Sequence, residues 1–153
     1  MLAHPTPHPT PAFSGNYILL RADTLRLLLP QHEVGAAEYL EAVPGPGETP
    51  GLLRHRDAPG ERQFAALSAQ MTLLPLCPAD RFVVTALGEH GNDLAWCWND
   101  VQVLIDVQLQ PRPIPAALLA PNTPVDQYVE HAGEIAFLCS ARRLREFALA
   151  PGT

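Results

Sequence analysis

The sequence predicts a mainly β protein made of two small β-subdomains packed together, with short flanking helices. Three observations carry that expectation. Residues 16–21 and 25–30 are apolar runs around Ala22-Asp23-Thr24, and residues 81–87 and 94–98 are apolar runs around Gly88-Glu89-His90-Gly91-Asn92-Asp93. Turn residues that tolerate positive φ between aliphatic, aromatic and β-branched runs are the strongest short-range hairpin signal. Proline and glycine, 17 and 10 in number, punctuate the stretches between, which suits many short strands. A two-stranded ribbon is not stable alone in water, so each hairpin must recruit further strands. The two ribbons are therefore expected in different sheets, with no more than about a third of the chain helical.

Element by element, residues 1–13 alternate proline with other residues and read as a disordered leader, since proline cannot donate ladder hydrogen bonds. Residues 14–150 form a single domain of two interleaved β-subdomains. Glu33, Glu38 and Glu41 read as a solvated helix face. The Pro/Gly-rich stretch 43–60 is interrupted by Leu52 and Leu53, which suggests a short strand pairing with the first hairpin. Phe64, Leu67, Met71 and Leu74 lie close to helical spacing, and predict a helix over residues 63–73. Residues 101–107 alternate apolar side chains with Gln102 and Asp106, as a strand with one wet face does. Pro111, Pro113 and Pro115 mark an irregular crossing. Ser140 caps a helix over residues 141–149, with Leu144, Phe147 and Ala148 inward and the arginines outward.

Composition narrows the chemistry. A chain of 153 residues buries roughly 68–70% of its unfolded surface, enough for a core without staples. Its formal charge of −6 argues against a nucleic-acid footprint, which needs a basic face. All ten basic side chains are arginine, and the lack of lysine excludes P-loop phosphate binding, Schiff-base chemistry and Ser-Lys dyads. Cys77, Cys97 and Cys139 are widely spaced without a CxxC, so neither a zinc ribbon nor a thioredoxin-type motif is present. Cys97 and Cys139 lie in apolar runs and read as small core residues. No signal-peptide pattern and no membrane-length apolar run occurs, and a cytoplasmic, reduced setting is expected, with no membrane insertion.

Over residues 14–148 the order of motifs resembles the CheW-like domain family, the chemotaxis coupling proteins. The opening strand-turn-strand-Val unit is matched by residues 17–34. Pro44 and then Gly51-Leu52-Leu53-Arg54-His55-Arg56-Asp57 resemble the family's Gly-initiated strand ending in Arg-Gly. Gln63-Phe64-Ala65-Ala66-Leu67 stands where the family has a Pro-hydrophobic-hydrophobic-Asp-Leu pattern, and the resemblance implies a strand around Phe64 whose end would run into the helix expected there. Ala95-Trp96-Cys97-Trp98-Asn99-Asp100-Val101 resembles the later Gly-Leu-hydrophobic-Val-Asp-x-Val pattern. Gly133-Glu134-Ile135-Ala136-Phe137-Leu138-Cys139-Ser140, followed by Arg142-Arg143-Leu144, is similar to the closing strand and helix. Arg54, Asp57, Ala66, Asn99 and Ser140 replace family Asn, Gly or Asp positions.

The resemblance implies two SH3-like β-barrel subdomains and a non-enzymatic signalling adaptor without a cofactor. One subdomain would dock on the regulatory domain of a chemotaxis histidine kinase. The cytoplasmic tip of a chemoreceptor would contact the groove between subdomains. Val34, Arg56 and Val101 are the partner-binding residues it carries over, and Arg56 has a structural role in bridging loops as its other reading. Other classes remain beside it. One is a structural subunit of a motility signalling array without kinase coupling. The other is a small-ligand sensor using Trp96 and Trp98, which stand on one face of a strand and could instead be core. No G-x-S-x-G elbow occurs, and Cys97 with His90 or His131 forms no recognisable nucleophile motif. His4 and His8 could hold a metal only as an isolated pair, and no metal or catalytic residue is assigned.

Overall fold

Leucine alternation in the first hairpin decides the architecture. The computed structural model describes residues 13–47, 49, 51–54, 62–88, 94–120 and 122–150. Strands β1 (Phe13–Ala22) and β2 (Leu25–Pro30) pair antiparallel across Asp23-Thr24, with Leu19 opposite Leu28 and Leu20 opposite Leu27. Successive side chains on a strand point to opposite faces. Leu19 and Leu28 accordingly enter one hydrophobic cluster, while Ile18, Leu20, Leu27 and Leu29 enter another. Burial on both faces explains why Leu27-Leu28-Leu29 carries no polar side chain.

The chain continues through β3 (Glu38–Tyr39), β4 (Gly45–Pro46), β5 (Leu53–Arg54), β6 (Gln63–Ala65), β7 (Val83–Ala86) and β8 (Leu94–Trp98). It then runs through β9 (Asp100–Leu109), β10 (Arg112–Pro113), β11 (Gln127–His131), β12 (Glu134–Leu138) and the helix α1 (Ala141–Leu149). Among the described residues the strands form two six-stranded mixed sheets, ordered β10-β11-β12-β2-β1-β9 and β3-β7-β8-β6-β5-β4. The parallel pairs are β12 with β2 and β6 with β8. The two ribbons lie in different sheets, as expected. The second sheet is one continuous stretch of chain inserted between β2 and β9 of the first.

Each sheet gathers a cluster of its own. Leu19, Leu28, Leu104, Leu109, Val129 and Ala136 meet in the first, and Leu53, Phe64, Ala66, Val84, Ala95 and Cys97 in the second. A third cluster joins the halves, with Leu20 and Leu27 from one sheet against Leu67, Trp96 and Trp98 from the other. Helix α1 adds Ala141, Leu144 and Ala148 to this central cluster. Its start is capped twice: Ser140 Oγ accepts from the Arg143 N–H at 3.2 Å, and Glu33 Oε1 accepts from the Ala141 N–H at 2.8 Å. Both satisfy first-turn donors that have no partner within the helix.

Three expectations are corrected. No helix spans residues 63–73: β6 runs into a bridge between Leu67 and Leu73. Phe64 and Ala66 face the second sheet's cluster while Ala65 and Leu67 face the central one, so the period there is two. The near-helical spacing of Phe64, Leu67 and Met71 mixes residues of both faces. Leu53 pairs with β4 and β6 in the second sheet and not with the first hairpin, although its neighbour Leu52 reaches the central cluster. Glu33, Glu38 and Glu41 share no helix. Glu33 ends a 3₁₀ turn and caps α1, and Glu38 lies in β3 with its carboxylate 2.8 Å from Arg62 Nη1.

Strand β9 keeps Gln102 and Asp106 exposed but leaves Val103 and Ile105 exposed too. Pairing steps from Gly15 opposite Val107 to Tyr17 opposite Leu104, so β9 carries one extra residue, with Asp106 at φ 51° and its N–H donated to Asn16 Oδ1. Such a bulge shifts the alternation by one, which turns Leu104 and Leu109 alike inward. The leader expected over residues 1–13 lies outside the described residues except at Phe13, where β1 begins.

Candidate functional site

Val34 forms an isolated antiparallel bridge with Leu87, and Val101 stands in β9 opposite Leu20. Both are half-buried against the central cluster, so each helps to join the two sheets. Arg56 lies outside the described residues, as do His4, His8 and His90. Beyond Val101, alternate positions on β9 carry Val103 and Ile105, exposed to 51% and 60%. β9 ends the order of its sheet and pairs with β1. It therefore offers a long edge with an apolar stripe, a form of surface that accepts another strand or an apolar partner.

A second apolar surface lies where the halves meet. A cleft of about 520 Å³ is lined by Leu25 of β2, Ile135 and Phe137 of β12, Ile114 and Leu118 of the proline-rich segment, and Met71 from the other half. Leu118 is 75% exposed and Ile135 51%. Met71 sits in a tight turn in which the Ser68 and Thr72 hydroxyls are 2.6 Å apart and the Met71 and Thr72 N–H groups donate to Ser68 O and Oγ. Its φ of 62° is left-handed, a conformation that costs a residue with a side chain roughly 1–2 kcal/mol. The surrounding hydrogen bonds hold it there. The result is a flexible thioether at the cleft wall, able to adapt to an apolar guest.

No acidic, basic or histidine side chain lines this cleft among the described residues. Its volume falls within the range of ligand pockets, and its lining is predominantly apolar. Chemically it can receive apolar groups, with the Tyr128, Gln70 and Thr123 side chains as polar margins.

Trp96 and Trp98 do share one face of β8, stacked with ring centroids 6.0 Å apart at 17°. Both are fully buried in the central cluster, and Trp98 Nε1 donates to Thr85 Oγ1 at 2.9 Å. They are core residues and do not line the cleft. At the junction between sheets, Asn99 Oδ1 accepts from the Asp23 N–H and the Asn99 N–H donates to Arg21 O. Beside it Arg81, fully buried, donates from Nη2 to Asp23 Oδ2 at 3.0 Å. His131 belongs to the first sheet, where its carbonyl accepts from Arg26 Nη1, and Cys97 lies in the second sheet's cluster, so the two form no catalytic pair. No group of three or more His, Cys, Asp or Glu side chains suited to a metal occurs among the described residues. None of their helices is long and apolar enough to cross a membrane.

All three cysteines are free thiols. Cys97 and Cys139 are buried as expected, and burial pushes the Cys139 thiol up to about 12. Cys77 is half-buried and meets Cys97 side chain to side chain, a proximity that spacing in the sequence does not reveal. The cleft escaped the sequence reading as well. Its one signal there is Ile114-Pro115-Ala116-Ala117-Leu118-Leu119, an apolar run that fits neither strand nor helix period.

No family model matches this chain, and no curated protein matches it.

Proposed function

We propose that this protein is a non-enzymatic, CheW-like signalling adaptor of the cytoplasm, coupling a chemoreceptor to a histidine kinase. The observation that carries the reading is the pair of separate apolar surfaces on one small body. An adaptor must hold two partners at once, and the β9 edge and the inter-sheet cleft lie on different elements. The order of sequence motifs supports the same family. So does the way each sheet wraps a cluster of its own, as two SH3-like barrels flanking a shared core would. The β9 edge is assigned to the kinase regulatory domain and the cleft to the helical tip of the receptor. Transient contacts of this kind bury about 1,200–2,000 Å² in total, with an apolar centre and a polar rim.

The test uses the purified full chain with a kinase regulatory domain and a receptor cytoplasmic fragment, each titrated separately by calorimetry. Val103→Glu with Ile105→Glu should abolish kinase binding and spare receptor binding. Ile135→Asp with Leu118→Asp should do the reverse. In the same assay Arg56→Ala should weaken one partner while leaving Tm nearly unchanged, on the order of 2–5 kcal/mol if the contact is desolvated. Failure of the wild-type chain to bind either partner refutes the reading.

A further inference from the structure

Outside the surfaces just described, one constellation is left without a role. Cys77 packs on the second sheet's inner cluster, whose strand β8 presents Cys97 on the face opposite Trp96 and Trp98. Four residues after Cys77, the chain turns through a bond from the Arg81 N–H to Pro78 O and buries the Arg81 side chain completely. Among the described residues only Nη2 of that guanidinium has a partner, Asp23, and Nε and Nη1 are buried without a hydrogen-bond acceptor. Orphaned buried donors are rare in folded proteins and call for a physical cause. Here they belong to a fixed positive charge that acts on both thiols.

We propose that Cys77, Cys97 and Arg81 form a hydroperoxide-responsive thiol pair, with Cys77 as the reacting sulfur and Cys97 as the resolving one. The division of labour follows from their surroundings. Contact with the Cys97 S–H holds the Cys77 thiol below its ordinary range, aided by Arg81 and opposed by burial and by Asp80. The same contact, with burial, pushes the Cys97 thiol up. Cys77 is also the more accessible of the two. A reagent from solvent thus meets first the sulfur whose thiolate, the reactive form, is the more favoured of the two.

In the first step the Cys77 thiolate attacks one peroxide oxygen. An S–O bond forms, the O–O bond breaks, and the alkoxide or hydroxide leaves with a proton from water. The sulfur, oxidised by two electrons, is now a sulfenic acid. In the second step the Cys97 sulfur attacks Cys77. An S–S bond forms, the S–O bond breaks, and the departing hydroxide takes the Cys97 proton to leave as water. With hydrogen peroxide the sum is two thiols and one peroxide giving one disulfide and two waters. The free Arg81 N–H groups have no acceptor in the dithiol state, and an anionic sulfur or sulfenate oxygen is the acceptor they lack. The proposal is independent of the adaptor reading.

The experiment treats the reduced full chain with a few equivalents of hydrogen peroxide and follows intact mass, peptide mapping and tryptophan fluorescence. The expected product is monomeric, lighter by two hydrogens, and linked Cys77 to Cys97 with Cys139 still free. The fluorescence should shift, because Cys97 is bonded in sequence to both tryptophans on β8, and drawing it toward Cys77 moves the backbone that carries them. Cys97→Ser should stop at a sulfenic acid on Cys77 that dimedone traps, and Cys77→Ser should abolish both products. Arg81→Met and Arg81→Lys should be compared, each checked for native circular dichroism. The methionine variant should react several-fold more slowly, because the Cys77 thiolate loses a neighbouring positive charge, and the lysine variant should recover part of that rate. Oxidation that links Cys139, joins two chains or leaves the three thiols intact overturns the proposal. So does an Arg81→Met variant that folds and reacts at the wild-type rate.

Discussion

Replacing Thr85 by valine tests the central cluster at a single atom. Thr85 and Trp98 are both fully buried, and Thr85 Oγ1 accepts the indole N–H at 2.9 Å. Valine keeps the shape, the β-branch and the strand preference, but removes the acceptor. The Trp98 N–H is then left buried and unpaired, a loss of about 1–3 kcal/mol. Exchanging hydroxyl for methyl in an apolar site returns somewhat less than ~1 kcal/mol. The net expectation is a destabilisation of about 1–2 kcal/mol, or a drop in Tm of roughly 2–8 °C for a chain of this size. Urea unfolding followed by tryptophan fluorescence measures it, since both tryptophans sit in the probed cluster. Trp98→Phe removes the donor, so the double variant should be less destabilised than the sum of the singles by about 1 kcal/mol. Additivity within ~0.5 kcal/mol, or a Thr85→Val variant as stable as wild type, would refute the account of this hydrogen bond.

Two further outcomes follow from buried polar groups. Burial holds the Cys139 thiol neutral in the folded state up to about 12, against an ordinary 9.0. Its contribution is complete below pH 9 and is lost as pH rises from there through 12, because the unfolded chain sheds the proton first. Between pH 9 and 11 this amounts to about 2–3 kcal/mol, and Cys139→Ala should flatten the fall in urea midpoint; equal slopes would contradict it. At the sheet junction, Asp23→Asn leaves the buried Arg81 charge uncompensated, whereas Arg81→Met removes it. Since Asp23 is half-exposed, the first should lower stability by only about 1–2 kcal/mol and the second by less; thermal melts showing the opposite order would refute this reading.

Much of the fold was legible because both hairpins are local. Turn chemistry and alternation act over a few residues, and the Ser140 cap with Leu144 and Ala148 inward is equally local. The errors came where two faces of one strand are both buried. Phe64 to Leu74 packs against two cores at once, which erases the polar side that would mark its period. The bulge at Asp106 reverses inside and outside halfway along β9, and nothing in Val107-Gln108-Leu109 announces it. The cleft and the Cys77–Cys97 contact depend on pairings between distant segments. A residue's own neighbours in sequence carry no record of those.

The insertion of the second sheet between β2 and β9 has a consequence for how the chain folds. β1 and β9 pair with Tyr17 opposite Leu104, a closure of roughly ninety residues. Within the second sheet, Tyr39 pairs with Val83, and Val83 with Trp98. Once those strands have met, the inserted segment's two ends stand only about 10 Å apart. The loop still to be closed shrinks to roughly thirty residues, which lowers the entropy of closure by about 1 kcal/mol. The inserted half therefore acts as a splint for the outer one. Weakening β7–β8 pairing should slow the docking of β1 on β9, while weakening β1–β9 should chiefly speed unfolding.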